Sequence, residues 1–121
     1  MPAYAIAFNR PETECRMTSA ERPIDFDHLA RQTMGQKDLE AEVLRLFLRQ
    51  ARDCVRSIHA SQGKDRVGIA HTLKGSARGI GAFNVADQAA RLEEMPDDAE
   101  RVEALCEAVV AVENFLLRLS R

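Results

Sequence analysis

The chain has 121 residues, with 17 Lys and Arg against 19 Asp and Glu and a formal net charge of −2. That length fits one domain with one real core and leaves no room for a second, nucleotide-binding catalytic domain. Acidic and basic residues are interspersed, which argues against nucleic acid or an anionic membrane as the main partner and favours binding to protein.

The stretch from Met1 to Phe8 lacks a basic n-region and an apolar run of adequate length, and no later stretch approaches the ~18 apolar residues of a span. A cytoplasmic location is expected, with no membrane partner. Neither GxxxxGK[ST] nor a GxGxxG opening a helix is present, so nothing cradles ATP or a dinucleotide. Cys15, Cys54 and Cys106 are scattered and form no CxxC, which fits a reducing compartment; Cys54 and Cys106 fall at or beside apolar helical positions, as small hydrophobes.

In chain order, residues 1–23 contain Pro2, Pro11 and Pro23 without sustained periodicity and are expected to form a flexible or loosely docked arm. Residues 24–121 form the domain. Asp25 is predicted to cap a short helix to about Thr33, with Phe26, Leu29 and Ala30 as its apolar stripe and Gly35 marking its end. Asp38 opens a long helix in which Leu39, Val43, Leu46, Phe47, Cys54, Val55 and Ile58 recur at helical steps until Gly63. Asp65 is the expected cap of the next helix, which should end or bend at Gly79 to Gly81. Asn84 and Asp87 resemble a capping pair for a helix with Val85, Ala89 and Leu92 on its inner face, stopped by Pro96. Asp97 and Asp98 suit the first turn of the last helix, whose seam is Val102, Leu105, Val109, Val112, Leu116 and Leu119.

No segment alternates as a half-buried strand would, so the fold class is all-α. Short connections make sequential helices antiparallel, and four amphipathic helices bury their stripes as an up-down-up-down four-helix bundle with a short N-terminal covering helix.

The stretch from Ile69 to Ala82 carries the chemistry. At about 100° per residue, Ala70, Leu73, Ala77 and Ile80 face inward, and His71, Lys74, Gly75 and Arg78 face outward. A lone surface histidine is ordinarily just a polar residue; the neighbours give this one a role. Neutral imidazole is a nucleophile near neutral pH, the cations offset phosphoryl charge, and Gly75 weakens an exposed helix position for no structural gain unless another molecule approaches there. Lys74, as an exposed side chain, is expected to contribute little to folding. Val67, one turn before His71, and Arg78, one turn after Gly75, are further candidates for partner contact. Ser76 lies roughly 140° round the helix from His71 and is read as a packing residue. His28 and His59 have no such neighbours, and no His/Glu/Asp pair has the spacing of a bundle metal site.

His71, Leu73, Lys74, Gly75, Ser76, Ala77, Ile80 and Gly81 together resemble the pattern of the histidine-containing phosphotransfer (HPt) domain family, without departure at any position. The resemblance implies a phosphorelay carrier that takes a phosphoryl group on His71, through Nε2, from a receiver-domain aspartate and passes it to another receiver. It implies receiver domains of response regulators and of hybrid histidine kinases as partners, with Mg²⁺ supplied by the receiver and no cofactor of the chain's own. A monomer is expected, with no kinase activity from ATP. An inhibitory docking module of the same fold is the alternative, although it would have no need of a nucleophile. The phosphoacceptor part of a histidine kinase fits less well: Thr72, not an acidic residue, follows His71, and no proline occurs until Pro96.

Overall fold

The computed structural model describes residues 22–119, so the arm expected over residues 1–23 lies almost wholly outside the described residues. Five helices follow in order: α1 Phe26–Thr33, α2 Lys37–His59, α3 Gly63–Ile80, α4 Phe83–Glu94 and α5 Ala99–Leu119. Among the described residues there is no strand. Helix α2 packs against α3 and α5, and α4 packs against the same two, so the four longer helices close a ring around one core; α1 rests on α2 and α3.

The core is built by large side chains closing over small ones. Ala70, Leu73 and Ala77 of α3 are fully buried, as are Val85, Ala89 and Leu92 of α4 and Leu105 of α5. The small residues of α3 and α4 let these two helices approach closely, and the leucines fill the centre. On α2 the buried positions are Glu40, Phe47, Ala51 and Ile58. Leu39 and Leu46, predicted for the apolar stripe, are instead exposed. Helical steps alone do not say how wide the covered arc is, and the neighbouring helices cover an arc centred on Phe47, Ala51 and Ile58.

Caps are where local pattern and structure diverge most. Asp25 does cap α1, its Oδ1 accepting from His28 N–H at 3.1 Å. The helix ends on Met34 in the left-handed region, one residue before Gly35. Helix α3 begins at Gly63 after Gln62, which places Asp65 in the first turn and not at the cap; there its charge still suits the helix dipole. Helix α4 begins after Ala82 without a side-chain cap, and Asn84 Oδ1 accepts from Gln88 one turn along. Asp98 supports the start of α5, its Oδ1 accepting from Glu100 N–H at 2.9 Å.

Two tertiary contacts hold the end of the bundle where α3 begins. Arg66 donates to the carbonyls of Ile58 (3.0 Å), Pro96 (2.7 Å) and Ser61 (2.6 Å), and Asp97 Oδ1 accepts from Gly63 N–H at 3.2 Å. The α2–α3 and α4–α5 connections are thereby tied together. At the α3–α4 corner, Gly81 has φ 89°, and a Cβ there would stand 2.8 Å from the Asp25 carbonyl oxygen. Asp25 N–H donates to Gly81 O at 2.9 Å, so the corner both needs a glycine and anchors the start of α1.

Side-chain pairs fix which parts of the helices face one another. Arg52 of α2 pairs with Glu113 of α5, while His59, farther along α2, meets Cys106, earlier in α5, at 3.4 Å. Cys54 and Cys106 are half-buried against the core, and burial, with nearby acidic side chains, pushes both thiols up from their ordinary value.

Candidate functional site

Helix α3 sets the register of the site. Ala70, Leu73 and Ala77 point into the core, which turns His71, Gly75 and Arg78 toward solvent. The His71 side chain is 70% exposed. Lys74 departs from the expected exposed position, because its side chain is only 18% exposed and leans onto α4. Val67 is half-buried.

The residue that organises the site was not singled out from the sequence. Glu93, in the last turn of α4, reaches both candidates on α3. Its Oε1 lies 3.2 Å from His71 Nδ1, and its Oε2 lies 2.7 Å from Lys74 Nζ. A carboxylate only accepts, so this contact assigns the proton of neutral His71 to Nδ1 and leaves the lone pair on Nε2. Glu93 Oε2 is shut off from solvent and makes no hydrogen bond of good geometry; the Lys74 ammonium, 2.7 Å away, is the cation beside it. Partial burial works to raise the Glu93 carboxyl pKa, but contacts with Lys74 and His71 outweigh it, and the net displacement is downward from the ordinary value. Glu93 is therefore an anion at neutral pH. Among the described residues no group of three or more His, Cys, Asp and Glu stands together in the manner of a metal site.

Gly75 lies one turn beyond His71, and a Cβ added there would meet no atom within 4 Å. The same holds at Gly68 and Gly79, which share the exposed side of α3. With Thr72 between them, these glycines make a strip of low relief beside the imidazole. Sequence reasoning had treated Gly79 only as a helix-ending signal and had passed over Gly68; their spacing of seven and eleven residues was the available sign. Arg78 stands exposed in the last turn of α3, roughly 10 Å along the axis from His71 at 1.5 Å per residue. The structure thus joins His71 and Lys74 through Glu93, places Gly75 beside them, and leaves Val67 and Arg78 along the same helix.

His28 and His59 lie elsewhere. His28 Nε2 is 3.2 Å from Gly79 O and its ring meets Phe83 edge-on at 5.2 Å, which helps hold α1 on the α3–α4 corner.

A family model described as the Hpt domain matches residues 42–119, well over half of the chain. The chain belongs to the Hpt domain family, which works in phosphotransfer of two-component signalling and interacts with receiver domains. The match begins within α2, so α1 lies outside it. Comparisons with curated proteins and with solved structures gave no match. No helix among the described residues is long and apolar enough to cross a membrane.

Proposed function

We propose that this chain is a phosphohistidine carrier of a phosphorelay, accepting a phosphoryl group on His71 from a receiver aspartate and delivering it to the aspartate of another receiver. The observation that carries the reading is the exposed imidazole whose Nδ1 is engaged by Glu93, leaving Nε2 as the free nucleophile beside side-chain-free Gly75.

The step is an in-line displacement at phosphorus. The Nε2 lone pair attacks the aspartyl phosphate of the docked receiver, the Nε2–P bond forms, the P–O bond to the aspartate breaks, and the electron pair leaves with that carboxylate. The proton on Nδ1 stays in place, so the product ring is cationic and its charge is offset by the anionic Glu93. Transfer of this kind asks for positioning and charge stabilisation, not for covalent help from the protein. Lys74 supplies a cation within reach of the arriving phosphoryl oxygens. Because it begins paired with Glu93, it is shared between that carboxylate and the phosphoryl group. The return step runs in reverse, onto a different aspartate. Mg²⁺ belongs to the receiver.

The fold in this reading is an antiparallel up-down-up-down bundle over residues 24–121, preceded by an arm over residues 1–23. Support comes from the pairing of Arg52 with Glu113 and His59 with Cys106, and of His71 and Lys74 with Glu93 while Gly63 meets Asp97. The strip of Gly68, Thr72, Gly75 and Gly79 is the landing surface, with Val67 and Arg78 touching the partner. The carrier acts in the cytoplasm as a monomer. Incubation with a phosphorylated receiver should label the chain, whereas incubation with ATP alone should not. Label acquired from ATP without a kinase, or retained fully in His71→Gln, would refute the assignment.

A further inference from the structure

Two protonation states are open to a phosphorylated imidazole, and they differ as leaving groups. With a proton on Nδ1 the ring is cationic; when the P–N bond breaks, the electron pair goes to Nε2 and the ring departs as neutral imidazole. Without that proton the same electron pair would make an imidazolate anion, a far poorer leaving group. Delivery to a receiver aspartate therefore runs through the protonated ring, and whatever holds the proton sets how far into alkaline pH delivery continues.

The charged groups around His71 differ in how they meet that proton. Glu93 Oε1 is 3.2 Å from Nδ1, and the Glu93 side chain is 19% exposed against 70% for His71. The carboxylate is thus largely covered from water, while the ring it contacts stays open to a partner. The opposing cation is Lys74, held at 2.7 Å by the other oxygen of the same carboxylate. Lys64 and Arg78 lie two turns before and after His71, roughly 10 Å away along α3. On α4 and the connection after it, Glu94 is turned to Arg101 at 3.3 Å and Asp97 to Gly63 N–H. On α2, Asp53 pairs with Arg56 at 3.3 Å and, with Arg49, lines the groove that Thr72 borders from α3. Of these groups, Glu93 is the one in contact with Nδ1.

On the carrier reading of His71, we propose that the Glu93 carboxylate does more than orient the ring: it keeps the Nδ1 proton on phosphorylated His71, so that the phosphoryl group remains deliverable in alkaline solution. Phosphoryl oxygens on Nε2 attract Lys74, and as the lysine turns toward them less of the Glu93 charge is offset, which tightens its hold on the proton. An opposite charge in contact moves a proton equilibrium by about one to three pH units, and with the ring open to water the effect here is about one.

Phosphoramidate, a small phosphoryl donor to histidine, labels the ring without any receiver. The test titrates the phosphorus NMR signal of labelled wild type, Glu93→Gln and Lys74→Gln, the signal of residue 71 being the one missing from His71→Gln. The midpoint at which the ring loses its proton should be about one pH unit lower in Glu93→Gln than in wild type, and higher in Lys74→Gln. Opposite shifts from two neutral amides at one ion pair cannot come from a shared folding defect. In single-turnover delivery to one receiver, the ratio of the wild-type rate to the Glu93→Gln rate should rise by about tenfold from neutral to alkaline pH, whereas a merely orienting glutamate would keep that ratio constant. Coincident midpoints, or a constant ratio, would overturn the proposal and leave His71 as the phosphoryl acceptor. A ring with the expected midpoints that passes its phosphoryl group to no receiver would instead overturn the carrier reading on which the delivery step rests.

Discussion

Glu93 Oε1 accepts from His71 Nδ1 across the α3–α4 seam at 3.2 Å, and the other oxygen of the same carboxylate holds Lys74 at 2.7 Å. The His71 ring, the Lys74 ammonium and the Glu93 carboxylate that contacts both are one unit. Replacing Glu93 with Ala should remove the Nδ1 acceptor and the charge that offsets the phosphorylated ring. A hydrogen bond to a charged group contributes about 1.5–3 kcal/mol, so receiver-to-His71 transfer should slow by roughly tenfold or more. Glu93→Gln keeps an acceptor and loses the charge, and should fall between the two. Single-turnover transfer rates on the three proteins would check the order.

The same carboxylate should leave a mark on stability. Its pKa is lowered in the folded state, so its contribution is fully present above the ordinary value of 4.5 and is lost as pH falls through the lower folded value. Wild type should exceed Glu93→Gln in melting temperature at neutral pH, and the gap should close on acidification below the ordinary carboxylate range. A gap that widens on acidification would contradict the ion pair.

Neighbouring residues on α3 should separate by what they touch. Leu73 is fully buried, and Leu73→Ala should cost about 2–5 kcal/mol through lost burial and the cavity left behind. Lys74→Ala should also destabilise, by roughly 1–3 kcal/mol, because Glu93 Oε2 would be left shut from solvent without its cation. Only the lysine change should slow transfer per folded molecule. Thermal melts and transfer rates on both variants would show it.

Much of the fold was legible because helical periodicity is a local property. The inner residues Ala70, Leu73, Ala77, Val85, Ala89 and Leu92 were read from spacing alone and are buried. So was the exposed position of His71, since the ring must turn outward when Leu73 turns inward. Glu93 was not legible for a physical reason: its contact depends on how α3 and α4 slide past each other, and its partner His71 is 22 residues away. The usable hint was an acidic residue next to buried Leu92, at the edge of the α4 stripe, but adjacent Glu94 offered the same hint. Lys74 was misplaced for the same reason, as its burial follows from Glu93. The start of α3 was misassigned because Asp97, a tertiary partner 34 residues away, accepts from Gly63 N–H as a local cap at Asp65 was expected to do for its own helix start.

Gly75→Glu should leave the helix intact, because a Cβ there meets nothing and glutamate has the higher helix propensity by about half a kcal/mol. Transfer should nevertheless fall sharply, since a bulky anion would stand where the phosphoryl group arrives. Unchanged circular dichroism with wild-type transfer would show that partners do not land on this strip.

Gly81→Ala probes the corner that holds α1. With φ 89° and a Cβ clash at 2.8 Å from Asp25 O, the substitution should cost about 1–3 kcal/mol and increase hydrogen exchange at the Asp25 and Leu29 amides. Exchange unchanged at those amides would mean that α1 is held by its side-chain contacts instead.

The central claim concerns one atom, Nε2 of His71, left free because Glu93 occupies Nδ1. Phosphorylating the ¹⁵N-histidine-labelled chain with a phosphorylated receiver and reading the phosphorus–nitrogen coupling by NMR tests it most directly. The account predicts a single phosphohistidine, at residue 71, bonded through Nε2 and absent from His71→Gln. Phosphorus bonded to Nδ1, or located on His28 or His59, would contradict it.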